Sequence, residues 1–148
     1  MQSFNSKRRS FLGVFLGLAF LPINVLAAAW NKAAFETNQL EMAEKELGIH
    51  AEIPSKDIEI IAPDRAENGA IVQLEVKSNI SNTEAITVFV VKNPTALIGN
   101  FMFANGALPQ MITRIKMAET SDIKIVVKAG EQYFTASKNV VVLENGCG

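Results

Sequence analysis

The only cysteine in the sequence, Cys147, lies one residue before the carboxyl terminus, between Gly146 and Gly148. A cysteine used for packing lies within an apolar strand or helix, where its sulfur behaves as a small hydrophobic group. Glycines on both sides remove the side chains that would shield the sulfur, and they allow the backbone almost any conformation. The pattern predicts an accessible thiol on a flexible C-terminal arm, residues 144–148, in which Asn145 precedes the first glycine.

An accessible thiol of this kind can form a covalent bond to a substrate or to another protein. A single cysteine in an exported chain cannot form an internal disulfide, which leaves intermolecular pairing or a free reactive thiol. Thiolate formation needs a nearby base or positive field, and the only histidine, His50, lies far from Cys147 in the sequence. The adjacent terminal carboxylate raises the pKa of the thiol by roughly a few tenths of a unit. We therefore expect other proteins to supply the catalytic groups.

The sequence predicts no catalytic residue, metal or cofactor in this chain. A structural zinc site needs about four Cys or His ligands, and the sequence has one of each. It contains no glycine-rich phosphate loop, no Gly-x-Ser-x-Gly motif and no haem attachment motif.

The N-terminal segment has the parts of a secretory signal: basic residues at 7–9, an apolar stretch from Phe11 to Phe20 and a small-residue end. The pair Arg8-Arg9 resembles the twin-arginine export signal, which carries folded proteins across a membrane. We expect residues 1–29 to be such a signal, with a periplasmic protein and no membrane anchor after cleavage. An ordinary secretory signal with two arginines by chance is the alternative.

A single amphipathic helix is predicted directly after the leader, within residues 30–48. Its apolar side chains lie near one stripe, and Gly48 is placed as the residue after the helix end. The stripe consists of Phe35, Leu40, Ala43 and Leu47.

Short runs rich in Ile, Val and Phe recur over residues 49–143 at intervals of about 8 to 12 residues. Apolar and polar residues alternate most clearly over 71–76 and 123–128, as expected for strands with one face on a core. The turn around Gly130 is predicted to join a hairpin. The fold class is therefore mainly β, an immunoglobulin-like antiparallel β-sandwich of seven to eight strands with one N-terminal helix. The predicted strands are Ile58–Ala62, Ala70–Val76, Ile86–Val91, Ile98–Phe103, Met111–Met117, Ile123–Lys128, Tyr133–Ala136 and Val140–Leu143, the last leaving the sulfur within roughly 14 Å of Leu143.

Charge argues against a nucleic-acid partner. Of the 14 basic residues, three lie in the leader, which leaves 11 against 15 acidic residues. Two interpretations stay open for the apolar run Phe101-Met102-Phe103, which suits either the core or a subunit interface. Four basic residues alternate with apolar ones and suit either a solvated sheet face or a surface for an anionic cargo or an acidic partner. They are Arg114, Lys116, Lys124 and Lys128.

The parts together resemble the SoxY family, the sulfur-carrier subunits of bacterial thiosulfate-oxidising Sox systems. The likeness covers essentially the whole chain after the leader. It is carried by Ile60-Ile61-Ala62-Pro63 through Ala66-Glu67-Asn68-Gly69-Ala70, by Thr113-Arg114-Ile115-Lys116-Met117-Ala118-Glu119-Thr120-Ser121, and by Asn145-Gly146-Cys147-Gly148.

The resemblance implies a role for the arm and a set of partners. Cys147 would be the covalent attachment point for sulfur intermediates, and Asn145, Gly146 and Gly148 would form the carrier arm. The chain would form a heterodimer with a SoxZ-like subunit. The arm would visit a haem-containing conjugating enzyme, a sulfate-releasing hydrolase and a sulfur dehydrogenase in turn.

The arm departs from the family pattern Gly-Gly-Cys-Gly-Gly at two places. Asn145 stands at the first glycine position, and the sequence stops after Gly148, one glycine short. These differences leave open a divergent paralogue with a related cargo. Two other functions are also open: an exported interaction module that uses Cys147 for an intermolecular disulfide, and a thiol enzyme.

Overall fold

A computed structural model describes residues 31–144, and the predicted leader, Trp30 and residues 145–148 lie outside this range. The described residues form two short helices and nine strands. The helices are α1 (Lys32–Glu36) and α2 (Leu40–Glu46), and the strands are β1 (Ile53–Pro54), β2 (Ile58–Ile61), β3 (Arg65–Asn68), β4 (Val72–Ser78), β5 (Thr83–Val90), β6 (Leu97–Met102), β7 (Gln110–Ile115), β8 (Ser121–Ala129) and β9 (Gln132–Glu144).

The strands form two sheets, so the predicted mainly β sandwich is confirmed. The larger sheet has the order β1-β9-β8-β5-β6, with β3 also paired to β9, and the smaller sheet has the order β2-β4-β7. The β8–β9 hairpin turns at Gly130, whose φ of 60° favours glycine. The sheets are not purely antiparallel, because β1 and β3 run parallel to β9.

The main core lies between the two sheets. It is built from alternate residues of the longer strands, as the alternation in the sequence requires. Three strands contribute the triplets Val72, Leu74, Val76; Ile86, Val88, Val90; and Ile123, Ile125, Val127. Phe101 and Phe103 pack against this core, whereas Met102 between them is exposed.

The single helix predicted over 31–47 is instead two helices. After α1 the backbone at Thr37 is extended, with φ −75° and ψ 142°, and the Thr37 hydroxyl accepts a hydrogen bond from the Gln39 amide at 3.2 Å. Threonine and asparagine favour such local side-chain bonds, which compete with helix continuation. Asn31 joins the two helices, because its side-chain amide donates to the Glu46 carbonyl at 2.7 Å.

A second core lies between these helices and the larger sheet. Ala34 and Ala43 have no exposed surface, and they pack in one cluster with Phe89 and Val126. The predicted stripe therefore faces the sheet although the helix is broken, since Phe35, Leu40 and Leu47 also belong to this cluster. Gly48 follows α2 with a φ of 71°, as predicted. Within residues 31–144, no helix is long and apolar enough to cross a membrane.

Three charged side chains link the layer formed by α1 and α2, here called the helical layer, to the larger sheet. Lys124 of β8 donates hydrogen bonds to Glu44 of α2 at 2.6 Å and to Glu52 at 2.9 Å. Burial opposes the charge of Lys124 most strongly, but the hydrogen bonds and charges of Glu44 and Glu52 outweigh it, so the pKa of Lys124 is raised. A lysine with a raised pKa stabilises the fold below its unfolded pKa of about 10.4, and that contribution is lost as the pH rises through the folded pKa.

We expect Lys124→Met to lower the free energy of unfolding by roughly 1–3 kcal/mol at pH 7, because two neighbouring carboxylates lose their shared cation. Chemical denaturation would measure the loss, and the difference from wild type should shrink above about pH 10.5. Lys128→Met is the matched control, since its pair with Glu84 at 2.8 Å is more exposed and should contribute only about 0–1 kcal/mol. Equal losses in the two variants would contradict the role of the triad.

Candidate functional site

The end of β9 is the point from which the cysteine arm begins. Val140 pairs with Ser121 of β8, and β3 pairs with the opposite edge of β9 as far as Glu144. The Gly69 amide also donates a hydrogen bond to the Glu144 carbonyl at 2.9 Å. Backbone hydrogen bonds therefore hold the chain as far as Glu144, one residue beyond the predicted end of the strand.

This boundary shortens the predicted arm. Cys147, with Asn145, Gly146 and Gly148, lies outside the described residues, but the length of the chain limits the position of the thiol. Cys147 is the third residue after Glu144, so its Cα can lie at most about 11 Å from that of Glu144. Glu144, the first residue of the predicted arm 144–148, is therefore part of β9.

The side chain of Thr120 holds the last residues of β9 through hydrogen bonds to the Val142 backbone. Its hydroxyl accepts a hydrogen bond from the buried Val142 amide at 2.9 Å and lies 3.4 Å from the Val142 carbonyl, to which it donates. No motif in the sequence marked Thr120 for this role beyond its position in the second SoxY-like stretch.

We expect Thr120→Val to lower the free energy of unfolding by about 1–2 kcal/mol, because the Val142 amide loses its acceptor without gaining access to water. Hydrogen exchange at Val142 and its neighbours should become faster, since the end of β9 opens more easily. Thr120→Ser keeps the hydroxyl and should exchange like wild type. An unchanged rate in Thr120→Val would show that this bond does not hold the strand end.

The two internal SoxY-like stretches meet at this strand end. Gly69 donates to Glu144, as described, and the Gly69 carbonyl accepts from the Met117 amide at 2.8 Å. The turn before β4 is fixed by Asn68, whose side-chain oxygen accepts from the Ala70 amide at 2.7 Å. The side chain of Asn93 holds the second stretch in place. Its amide donates to the Lys116 carbonyl, and its oxygen accepts from the Ala118 amide, both at 2.8 Å. The sequence showed the Asn68-Gly69 turn but not its contact with Glu144.

Apolar side chains are exposed beside the strand end. Leu143 is 55% exposed and Ile71, which follows the Asn68–Ala70 turn, is 68% exposed. Their neighbours in the sequence, Val142 and Val72, are buried. Exposure of these two side chains therefore results from the alternation of the strands and not from a loose fold.

His50 lies too far from the arm to activate its thiol. Its ring packs edge-on against Tyr133 at a centroid distance of 5.3 Å, and its Nδ1 lies 2.7 Å from the Gly48 carbonyl oxygen. Tyr133 stands near the start of β9 and Glu144 at its end, which is about 36 Å for eleven residues of extended strand. The arm reaches only about 11 Å beyond Glu144. A Cys–His pair within one chain is therefore excluded.

The basic set does not form one surface. Lys124 lies under the helical layer, Lys128 pairs with Glu84, and Arg114 lies exposed on the smaller sheet. The interpretation of these four residues as one cargo surface is therefore wrong: Arg114 lies in β7 of the smaller sheet, Lys124 and Lys128 lie in β8 of the larger sheet, and Lys116 follows β7 outside both sheets. Lys116 directly precedes Met117, whose amide donates to the carbonyl of Gly69, the residue that binds Glu144.

The described part of the chain was also searched for a metal site and for a ligand pocket away from β9. Residues 31–144 contain no group of three or more His, Cys, Asp or Glu side chains that could hold a metal ion. A hollow of about 420 Å³ lies at the opposite end of the sandwich, beside the loop from Ala104 to Pro109. The end of β9, which precedes Cys147, is therefore the candidate functional site.

The similarity to known proteins extends over the end of β9 and the residues that follow it. The family model for sulfur oxidation protein SoxY matches residues 43–147, which includes Cys147. The structure of the sulfur carrier protein SoxY from Chlorobium limicola f thiosulfatophilum is similar, with a TM-score of 0.63 and 29% sequence identity over 69% of this chain and 93% of that chain. No curated protein matches the sequence. Since the family model covers most of the chain, this protein belongs to the SoxY family of sulfur oxidation proteins.

Proposed function

We propose that this chain is a covalent carrier of sulfur intermediates in thiosulfate oxidation, with Cys147 as the attachment point. The observation that carries the proposal is the firmly held end of β9 at Glu144, followed three residues later by the only cysteine in the sequence. The family match extends to residue 147, and the similar solved structure is described as a sulfur carrier protein. A carrier needs its thiol to reach into other proteins while the scaffold stays folded, and this arrangement meets both needs.

The proposed loading step is oxidative. The Cys147 thiol and thiosulfate form a sulfur–sulfur bond, which gives a cysteine S-thiosulfonate and releases one proton and two electrons. The electrons pass to a haem-containing conjugating enzyme. Water then cleaves the terminal sulfonate in a sulfate-releasing hydrolase, which yields sulfate, two protons and a cysteine persulfide anion. A sulfur dehydrogenase oxidises the remaining sulfur.

This division of labour agrees with the chemistry of the chain. His50 is out of reach of the thiol, so the base and the oxidant for loading come from partner enzymes. A SoxZ-like subunit completes a heterodimer with this chain. Export by the twin-arginine route places the folded pair in the periplasm, where residues 1–29 are removed.

The function is tested by the intact mass of the exported protein under non-reducing conditions. In cells supplied with thiosulfate we expect adducts of added sulfur or thiosulfonate that disappear on thiol reduction. The Cys147→Ser variant should show none of them. An unmodified monomer in wild type would argue against the carrier. A plain disulfide-linked dimer would instead support an interaction module that uses Cys147 for covalent pairing.

A further inference from the structure

One edge of the smaller sheet is formed by β7, which no other strand covers within residues 31–144. Its residues pair with β4 in one unbroken register. An uncovered edge presents unpaired backbone N–H and C=O groups, to which the strand of another chain can bind. A hollow of about 590 Å³ beside this edge leaves space for such a strand, and it is lined by Gln73, Ile112, Thr113 and Arg114.

The free backbone groups of β7 belong to Ile112 and Arg114. In an antiparallel pair, residues that exchange hydrogen bonds alternate with residues that do not. The Ser78 amide donates to the Pro109 carbonyl at 2.9 Å, so the bonds to β4 continue at every second residue of β7 after Pro109. The N–H and C=O groups of Ile112 and Arg114 consequently point away from β4.

The other edge strands within residues 31–144 carry features that discourage pairing. Two of them, β1 and β2, have only two and four residues, and the four residues of β3 are mostly polar. A bulge interrupts β6, because Ile98 has no counterpart between Val88 and Phe89 of β5. In contrast, β7 has six residues with a single charge, that of Arg114, and its Ile112 side chain is 65% exposed. It is therefore the edge best suited to pairing with another chain.

We propose that β7 of a second copy of this chain pairs with β7 in the antiparallel direction, with a two-fold axis at Thr113. The two three-stranded sheets then join into one larger sheet. In this register Ile112 lies opposite Arg114 of the second copy, and the free N–H and C=O groups of these two residues bond to each other. An interface with two-fold symmetry forms every such contact twice.

The facing side chains suit each other in this register. Toward the core, Met111 lies opposite Ile115 of the second copy, and both side chains are buried, so the apolar inner face continues across the joint. Toward solvent, Glu75, Ile112 and Arg114 of the second copy lie in one row, because Glu75 is the β4 partner of Ile112. Arg114 forms no ion pair within residues 31–144. In the dimer its long apolar stem covers Ile112 while its charge approaches Glu75.

The neighbouring registers suit the strand less well. A shift that places Ile112 opposite its own copy brings the Arg114 carbonyl to the Gln110 amide of the second copy. That amide already donates to the Leu108 carbonyl at 2.8 Å, so the Arg114 carbonyl stays unpaired. A shift in the other direction places Arg114 opposite Arg114 of the second copy, where like charges repel.

The pairing places the bases of the two cysteine arms at opposite ends of the dimer. The C-terminal end of β7 lies at the same end of the sandwich as Glu144, since Gly69 bonds both Met117 and Glu144. Antiparallel strands reverse this direction in the second copy. The dimer is thus non-covalent, does not involve Cys147 and goes beyond the proposed carrier function.

Sedimentation velocity of the exported protein with Cys147→Ser, under reducing conditions, tests the dimer without a disulfide. At about 100 μM we expect a reversible dimer that dissociates on dilution. Ile112→Lys should raise its Kd by about tenfold or more, because it places a lysine opposite Arg114 in both halves of the interface. Ile112→Glu removes the same apolar side chain but places a carboxylate there, so its Kd should stay within about threefold of that of the starting protein.

A cysteine at the two-fold axis tests the register. In the same Cys147→Ser background, Thr113→Cys should form a disulfide-linked dimer on mild oxidation, because facing residues that exchange no hydrogen bonds lie about 4.5 Å apart at Cα. Met102→Cys is the matched control, since Met102 is 67% exposed and lies on the bulged edge strand β6. We expect its cross-linking to be at least about tenfold slower.

The dimer is overturned if the protein stays monomeric at about 100 μM, if Ile112→Lys and Ile112→Glu have the same Kd, or if Thr113→Cys cross-links no faster than Met102→Cys. Each of these outcomes leaves the carrier function intact, because loading is measured at Cys147 and not at β7. Failure of the wild type to load in the intact-mass experiment would overturn the carrier function and leave the dimer standing.

Discussion

Cys147→Ser is expected to reduce thiosulfate-dependent oxidation to the background rate in a reconstituted system, a loss of at least about 100-fold. Serine has nearly the same shape, but its oxygen cannot form the sulfur–sulfur bond of the proposed loading step. The fold should be unaffected, because Cys147 lies beyond the last strand residue, Glu144. Oxidation rates with thiosulfate as the electron donor, together with an unfolding curve, would measure both effects.

A relocated thiol provides the sharpest control for this prediction. Leu108, which is 81% exposed, lies in the loop before β7 at the end of the sandwich opposite to the arm. Adding Leu108→Cys to Cys147→Ser restores an accessible thiol, but on the scaffold itself and not on a narrow tail. We expect this thiol to react with small alkylating reagents and to remain unloaded by the conjugating enzyme. Loading at residue 108 would show that exposure alone is sufficient and that the arm has no special role.

Phe89→Ala is expected to lower the free energy of unfolding by about 3–5 kcal/mol, the largest single effect on stability that we predict. Phe89 has no exposed surface and is the largest fully buried side chain within residues 31–144. It lies in the second core, where the helices pack on the larger sheet. Removing the ring leaves a cavity that short helices fill poorly, because α1 and α2 have only five and seven residues.

Denaturant unfolding monitored by circular dichroism would measure this loss. Leu108→Ala removes a large aliphatic group from an exposed position and should change stability by no more than about 0.5 kcal/mol. Phe89→Leu keeps most of the volume and should lie between the two. A loss of less than about 1 kcal/mol for Phe89→Ala would mean that the helical layer contributes little to the folded state.

The strands with alternating side chains were the most predictable part of the fold. The pattern over 71–76 and 123–128 placed β4 and β8 within one or two residues, because one face of each is buried. The strands β1 and β3 were missed, since Ile53-Pro54 is too short to show a period and Arg65–Asn68 is mostly polar. Both are defined only by pairing with β9.

The helix prediction was half right for a related reason. The stripe of Phe35, Leu40, Ala43 and Leu47 depends on burial and was placed correctly against the sheet. Continuity of the helix depends on local hydrogen bonds, and Thr37 supplies a competing one. A periodic pattern with gaps is compatible with one helix or two, so the break was visible only in the folded chain.

The sequence by itself determined the chemistry of this protein: one cysteine between glycines, no second thiol, a single distant histidine and a SoxY-like pattern around them. Only the tertiary structure decided where that chemistry is presented. Hydrogen bonds from Gly69 and Thr120 hold the end of β9, and both residues are far from Glu144 in the sequence. Residue types are local and can be read from the chain, whereas the fixed base of an arm depends on contacts between distant segments, which form only when the sandwich folds.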